Sequence, residues 1–137
     1  MVPFDGSTAL VQQQKLRNIE IIQFLLEHGA DPNVKVNYGL SLTPLMIATE
    51  EGKYETAKLL IEHGANIDDH ENLSGNVPLH FAVSFGHMRV LEMLVENGAS
   101  IDFKALDGAT ALTYAINYKR KKMAAFLIEN GAIVNST

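Results

Sequence analysis

Five histidines (His28, His63, His70, His80 and His87) and the adjacent carboxylates Glu50 and Glu51 are the first side chains in this 137-residue chain to test for proton transfer or metal ligation. Their spacing assembles no site. No two histidines stand four residues apart, so none can share a helix face as paired zinc ligands do. Consecutive helical residues point about 100° apart, so Glu50 and Glu51 do not converge as an acid/base pair; a partner-steering acidic patch is the better reading. The chain has no cysteine, which removes thiol nucleophiles, disulfides and Cys-based zinc sites. It also lacks a Gly-rich phosphate loop, a His-Glu-x-x-His motif and a nucleophile elbow. The expectation is a protein without cofactor, metal or catalysis. One basic run remains, Lys119-Arg120-Lys121-Lys122. It reads as a solvated turn between helices, with an import signal or a local anionic contact as alternatives.

The elements that carry these residues emerge from repetition. Gly-Ala recurs at Gly29-Ala30, Gly64-Ala65, Gly98-Ala99 and Gly131-Ala132, at spacings of 35, 34 and 33. A second landmark precedes each pair: Thr8-Ala9-Leu10, Thr43-Pro44-Leu45, Val77-Pro78-Leu79 and Thr110-Ala111-Leu112. From each of these leucines to the next Gly-Ala glycine is 19 residues in all four copies, whereas the return distance shrinks from 16 to 15 to 14. A packed unit of constant length thus alternates with a loop that absorbs the insertions.

The constant segment predicts two helices. Thr43 suits an N-cap and Pro44 the first helical position. A first helix over Pro44 to Glu50 breaks near Gly52, and a second runs from Tyr54 to His63 with Ala57, Leu60 and Ile61 at core spacing. Gly64 follows as a left-handed stop. Such pairs are too short to stand alone and must stack to bury their apolar faces. In the third copy Leu79 and Ala82 should be buried between neighbours on both sides.

Val77-Pro78-Leu79-His80-Phe81-Ala82, then Gly86-His87, then Leu94-Val95-Glu96-Asn97-Gly98-Ala99, resembles the ankyrin repeat. The resemblance runs from about Phe4 to Asn135 in four co-registered copies. It implies an all-α solenoid of four helix-turn-helix units with finger loops, a single array over 1–137 with repeats near 4–36, 37–70, 71–104 and 105–137. It implies that His80 stitches neighbouring loops by a hydrogen bond. Asn33 and Asn135, each eight residues after a leucine (Leu25 and Leu127), resemble the ankyrin asparagines that some asparaginyl hydroxylases modify. The first copy departs from the pattern with Gln12-Gln13-Gln14, as a capping repeat would. The fourth replaces the usual proline by Ala111 and the usual glycine by Lys119, yet keeps an apolar second helix.

By the same resemblance, partners dock on the finger tips and the exposed ends of the first helices. The matching helix positions are Lys15-Leu16, Glu50-Glu51, Ser84-Phe85 and Asn117-Tyr118; the finger positions are Leu40, Leu42, Leu73, Asn76, Leu106 and Ala109. Large apolar groups at such exposed positions (Leu16, Phe85, Tyr118) suggest anchors for a partner, or side chains folded back on a neighbouring repeat. The function expected is a non-catalytic scaffold or adaptor binding another protein, with a structural or regulatory fragment of a longer chain as the alternative.

Charge narrows the partner. The net charge is −5, and through Asp68 there are 5 basic against 9 acidic residues, then 6 against 7. A duplex-binding surface needs clustered positive charge, so nucleic acid is disfavoured. No apolar run approaches a membrane span, and Met1 to Gln14 lack the features of a signal peptide. An intracellular, cytoplasmic location is expected, with nuclear entry left open. Phe126 and Ile128, in a last helix without a following repeat, predict a sticky C-terminal edge and self-association there.

Overall fold

A computed structural model describes residues 19–35 and 41–134. Among the described residues seven helices follow one another: α1 (Ile19–Glu27), α2 (Pro44–Glu51), α3 (Tyr54–Glu62), α4 (Pro78–Ser84), α5 (Met88–Glu96), α6 (Ala111–Asn117) and α7 (Lys121–Glu129). No β-sheet forms among the described residues. Short helices α2, α4 and α6 pack side by side as one row; α1, α3 and α5 stack behind them, and α7 pairs with α6. The result is the all-α solenoid that the repeat arithmetic predicts. The first landmark, Thr8-Ala9-Leu10, and the glutamine run after it lie outside the described residues.

The three short helices share one device at their start, and the two that open on threonine add a second. Thr43 accepts the amide of Met46 at 3.2 Å and Thr110 that of Thr113 at 3.3 Å, satisfying donors that a helix start leaves open. The side chain three residues into the helix answers by accepting the N-cap amide. Met46 uses Sδ (3.5 Å), His80 uses Nδ1 (3.2 Å) and Thr113 uses Oγ1 (3.2 Å). Helices α2 and α4 turn into α3 and α5 through Gly52 and Gly86, at φ +72° and +77°. Lys119 holds the same left-handed position at φ +58°. The longer helices end as expected: beyond α3, the Ala65 amide reaches back to the Leu60 carbonyl at 2.9 Å, with Gly64 left-handed.

The core runs through the array as a continuous seam. Leu45, Ala48, Leu79, Ala82, Ala111, Leu112 and Ala115 line it from the short helices; Ala57, Leu60, Leu91, Leu94 and Leu127 line it from the long ones. Leu79 and Ala82 are fully buried, as expected for the third repeat.

Two further contacts recur from repeat to repeat. Asn33, Asp68 and Asp102, each four residues after a Gly-Ala glycine, accept the amides of Asn66 (2.6 Å), Ser100 (3.0 Å) and Ile133 (3.0 Å) in the next unit. Asn33 also donates to the Gly64 carbonyl at 3.1 Å, so both ends of this amide are engaged in stacking; Asn135 lies outside the described residues. The second contact joins the ends of the short helices. His87 donates through Nε2 to the Glu50 carbonyl at 2.9 Å, and Arg120 through Nη2 to the Ser84 carbonyl at 3.0 Å.

Candidate partner-binding surface

Two rows of side chains face outward from the short-helix side. At the helix ends, Phe85 caps α4 and Tyr118 caps α6. Equivalent in register to Glu51, they retain 49% and 54% of their surface exposed. They do not fold into the core. Tyr118 stacks on Tyr114 at 6.3 Å between ring centroids, which fixes its plane while leaving an edge and face to solvent. Asn117 is exposed beside it and Ser84 is half-buried, its carbonyl engaged by Arg120. Glu50 and Glu51 are half-buried, and Glu51 Oε1 is shielded from water with no hydrogen-bond partner among the described residues. The acidic end of this row is therefore less solvated than an exposed patch.

The finger tips form the second row. Among the described residues Leu73 and Leu106 are the most exposed large apolar side chains, at 71% and 75%. They sit on turns of different length. In the third repeat the Glu71 amide donates to the Asn76 carbonyl (3.0 Å); in the fourth, the Ala105 amide donates to the Ala109 carbonyl (2.9 Å), one residue fewer around the turn. That is where the repeat shortens. The longer turn has more amides to satisfy, and the buried Glu71 carboxylate takes them: Leu73 (3.1 Å), Ser74 (2.7 Å) and Asn76 (3.1 Å), with the Ser74 hydroxyl in addition. Burial alone would raise the Glu71 pKa, but the Ser74 hydroxyl and the three amides together hold it below the usual carboxylate value. The two fingers are bonded to each other, Leu106 amide to Ser74 carbonyl, at 2.9 Å.

Asn76 and His80 link this finger row to the helices. Asn76 is half-buried and accepts the Tyr114 hydroxyl at 2.8 Å. His80 is fully buried; with Nδ1 accepting from Val77, its Nε2 donates to the Phe103 carbonyl at 3.0 Å. The stitching role implied for His80 is present. Burial pushes its pKa down, against the Phe103 hydrogen bond and the charge of Asp107, which favour the protonated ring.

Of the positions expected on this surface, Leu42 is half-buried at the base of its finger, and Leu16 and Leu40 lie outside the described residues. Ala109 is buried, because the Ala105–Ala109 turn folds it under the finger, so it offers no contact area. Three features had no clear signal in sequence. Ile116 is 60% exposed although its register equivalents Thr49 and Val83 are fully buried, since no later unit covers α6 on that side among the described residues. Glu71 has no counterpart in the shorter finger. Arg120 reads as one of four like charges, yet it alone is tied down: its guanidinium lies under Gly86, where a Cβ would come within 2.7 Å of Nη1. The basic run is thus not uniformly a solvated turn.

The comparisons with known proteins agree with this geometry. A family profile described as ankyrin repeats in many copies matches residues 45–95, and the single ankyrin repeat matches residues 5–37 and 107–137. The chain belongs to the ankyrin-repeat family. This ankyrin array is 31% identical over 106 residues to an ankyrin repeat protein of fowlpox virus, covering 77% of the chain and 31% of that protein. It is 32% identical over 92 residues to an ankyrin repeat protein of Acanthamoeba polyphaga mimivirus, covering 67% of the chain and 12% of the relative. Human SH3 and multiple ankyrin repeat domains protein 2 is 38% identical over 109 residues, 78% of the chain and 6% of that protein. The chain spans under a third of the first two relatives' length. At family level the ankyrin array is a protein-binding scaffold. Among the described residues no three His, Asp or Glu side chains gather as a metal site, and no helix is long and apolar enough to cross a membrane.

Proposed function

We propose that this ankyrin array binds a partner protein through the ends of its short helices and its finger tips, with Phe85 and Tyr118 as anchors and Leu73 and Leu106 as the outer contacts. The observation that carries the reading is that Phe85 and Tyr118 occupy one register position and are each about half exposed. Exposed aromatics on a rigid, hydrogen-bonded frame are the usual energetic centre of an interface. Glu50, Glu51, Asn76, Ser84 and Asn117 supply the polar surround, Leu42 adds an apolar contact, and Leu16 and Leu40, outside the described residues, are assigned to the surface by register alone. Phe85→Ala and Tyr118→Ala should each weaken binding about thirtyfold, corresponding to ~2 kcal/mol, while shifting the thermal midpoint little. Binding of each variant to the partner recovered from the source cell, with a thermal melt alongside, tests this. Loss of fold with unchanged affinity per folded molecule would move the anchors to the fingers.

A second reading, a structural or regulatory segment of a longer ankyrin protein, is favoured by one observation. Ile116, Ile128, Ile133 and Val134 leave an apolar face exposed on the fourth repeat. A longer transcript encoding a repeat in register with Gly131-Ala132 would support it.

A further inference from the structure

The basic run and the turn that carries it form a binding feature that the anchor pair does not account for. Gly86, Met88, Tyr118, Lys119, Arg120, Lys121, Lys122 and Met123 line an open groove of about 400 Å³ where the third and fourth repeats meet. Four of the eight are cations and none is acidic, in a chain whose net charge is −5. Lys119, Lys121 and Lys122 are exposed, and none of them makes an ion pair with a described residue. Arg120 differs. Its Nη2 holds the Ser84 carbonyl, its guanidinium lies 5.8 Å from the Tyr118 ring, and its Nε is buried without a partner among the described residues. The arginine fixes the floor, and the three lysines stand around it. In the equivalent turns of the two preceding repeats the residues are Gly52-Lys53-Tyr54-Glu55 and Gly86-His87-Met88-Arg89, so this density of charge belongs to the fourth repeat alone.

The walls decide what kind of anion fits. Met88, Met123 and the Tyr118 ring give the groove apolar sides, which a bare phosphate or a nucleic-acid backbone would not use but an apolar side chain between carboxylates would. Tyr118 belongs to the groove and to the anchor pair at once, so a chain crossing Phe85 and Tyr118 continues onto the lysines. At the other end of the same helix row stand Glu50 and Glu51, of opposite sign. We infer that the groove between the third and fourth repeats receives an acidic peptide segment of the protein partner, carboxylates against Lys119, Lys121 and Lys122 and an apolar side chain against Met88 and Tyr118. The inference rests on the proposed protein-binding role and adds the chemistry and polarity of the bound chain.

The probe is a fluorescein-labelled dodecapeptide of glutamates around a central phenylalanine. Versions with glutamine for glutamate and with alanine for the phenylalanine serve as comparisons. Anisotropy should show binding that weakens steeply with salt, at least tenfold on the K119E/K121E/K122E substitution, and severalfold on losing either the charges or the phenylalanine. The three lysines are exposed, so the variant should keep its helical circular dichroism and melt. Unchanged affinity in that variant, or tighter binding of duplex DNA or of phosphatidylserine vesicles than of the peptide, would overturn the inference. The recovered partner separates the two claims. Sensitivity to Phe85→Ala but not to the lysine reversal leaves the anchor surface standing and removes the acidic segment. Peptide binding without any dependence of the partner on Phe85 or Tyr118 removes the anchor surface instead.

Discussion

His80 shows how much one side chain can tie together in this array. It closes the start of α4 through Nδ1 and fastens the next finger through Nε2, and both bonds need the neutral ring with its proton on Nε2. Its pKa in the folded protein lies below the ordinary 6.5. The unfolded chain therefore takes up the proton first on acidification. The contribution of His80 is complete above pH 6.5 and declines as pH falls below that value toward the folded pKa. Glu71 acts lower on the scale: its folded pKa is below 4.5, so its contribution is present above that pH and is lost as pH falls through the folded value. Urea midpoints measured from neutral pH downward should drop first in the His80 window. His80→Gln should be less stable at neutral pH, by about 1–3 kcal/mol for a buried ring traded for an imperfect partner, and should lose that first drop. A wild-type midpoint that is flat until the carboxylate range would show that His80 binds its proton equally well in the folded and unfolded chain, against the lowered folded pKa.

At the scale of the element, the decisive feature is the turn between paired helices. Gly52 combines a left-handed backbone with the close approach of His87, whose Nδ1 would lie 2.5 Å from an added Cβ. Gly64 has a left-handed backbone too, but nothing within 4 Å of an added Cβ. Gly64→Ala should then cost about 1–2 kcal/mol for the backbone alone. Gly52→Ala should cost more, because the ring must also leave the Glu50 carbonyl, a further loss of about 1 kcal/mol. Lys119 is the converse case, a side chain where its counterparts are glycines. Lys119→Gly should raise stability by up to about 1 kcal/mol, and it should weaken binding of the acidic peptide. Thermal melts of the three variants give the ordering. Equal costs at Gly52 and Gly64 would mean that His87 can swing aside freely.

Across the whole molecule, stability passes between neighbouring units, since each repeat touches only the ones beside it. Leu79, in the third repeat, is packed from both sides, whereas Leu112 in the fourth has a neighbour on one side among the described residues. Both are buried. Leu79→Ala should cost about 2–5 kcal/mol, and Leu112→Ala should cost less, because the surroundings at the end of the described array can relax into the space. Urea melts of the two variants test the register; an unchanged midpoint for Leu79→Ala would refute it. The same asymmetry leaves Ile116, Ile133 and Val134 uncovered. We expect this chain to self-associate through that face with rising concentration, and Ile116→Lys with Ile133→Lys to abolish it. Sedimentation velocity across a concentration series would show a single monomeric boundary if the face is indifferent to a second copy.

The landmarks Thr43-Pro44-Leu45 and Gly64-Ala65 made the helix pairs legible because they are local devices: a cap, a proline at the first position and a left-handed stop act over a few residues and need no distant partner. Their recurrence at near-constant spacing made stacking legible as well, since a pair that cannot bury its own apolar face must bury it on the next. The aromatics at Phe85 and Tyr118 could be picked out for the same reason, as large side chains at a position the register places outside. What could not be read was which polar groups meet across repeats. Glu71 folds its carboxylate into its own finger, Arg120 reaches back across 36 residues to the Ser84 carbonyl, and Ala109 disappears beneath a turn shortened by one residue. Each depends on atoms brought together by the stacking of separate units, and a single substitution or deletion in a neighbour reassigns them. Periodicity reports the average environment of a register position. Hydrogen bonding and burial at that position are set by the particular side chains on either side, which the fold alone places within reach.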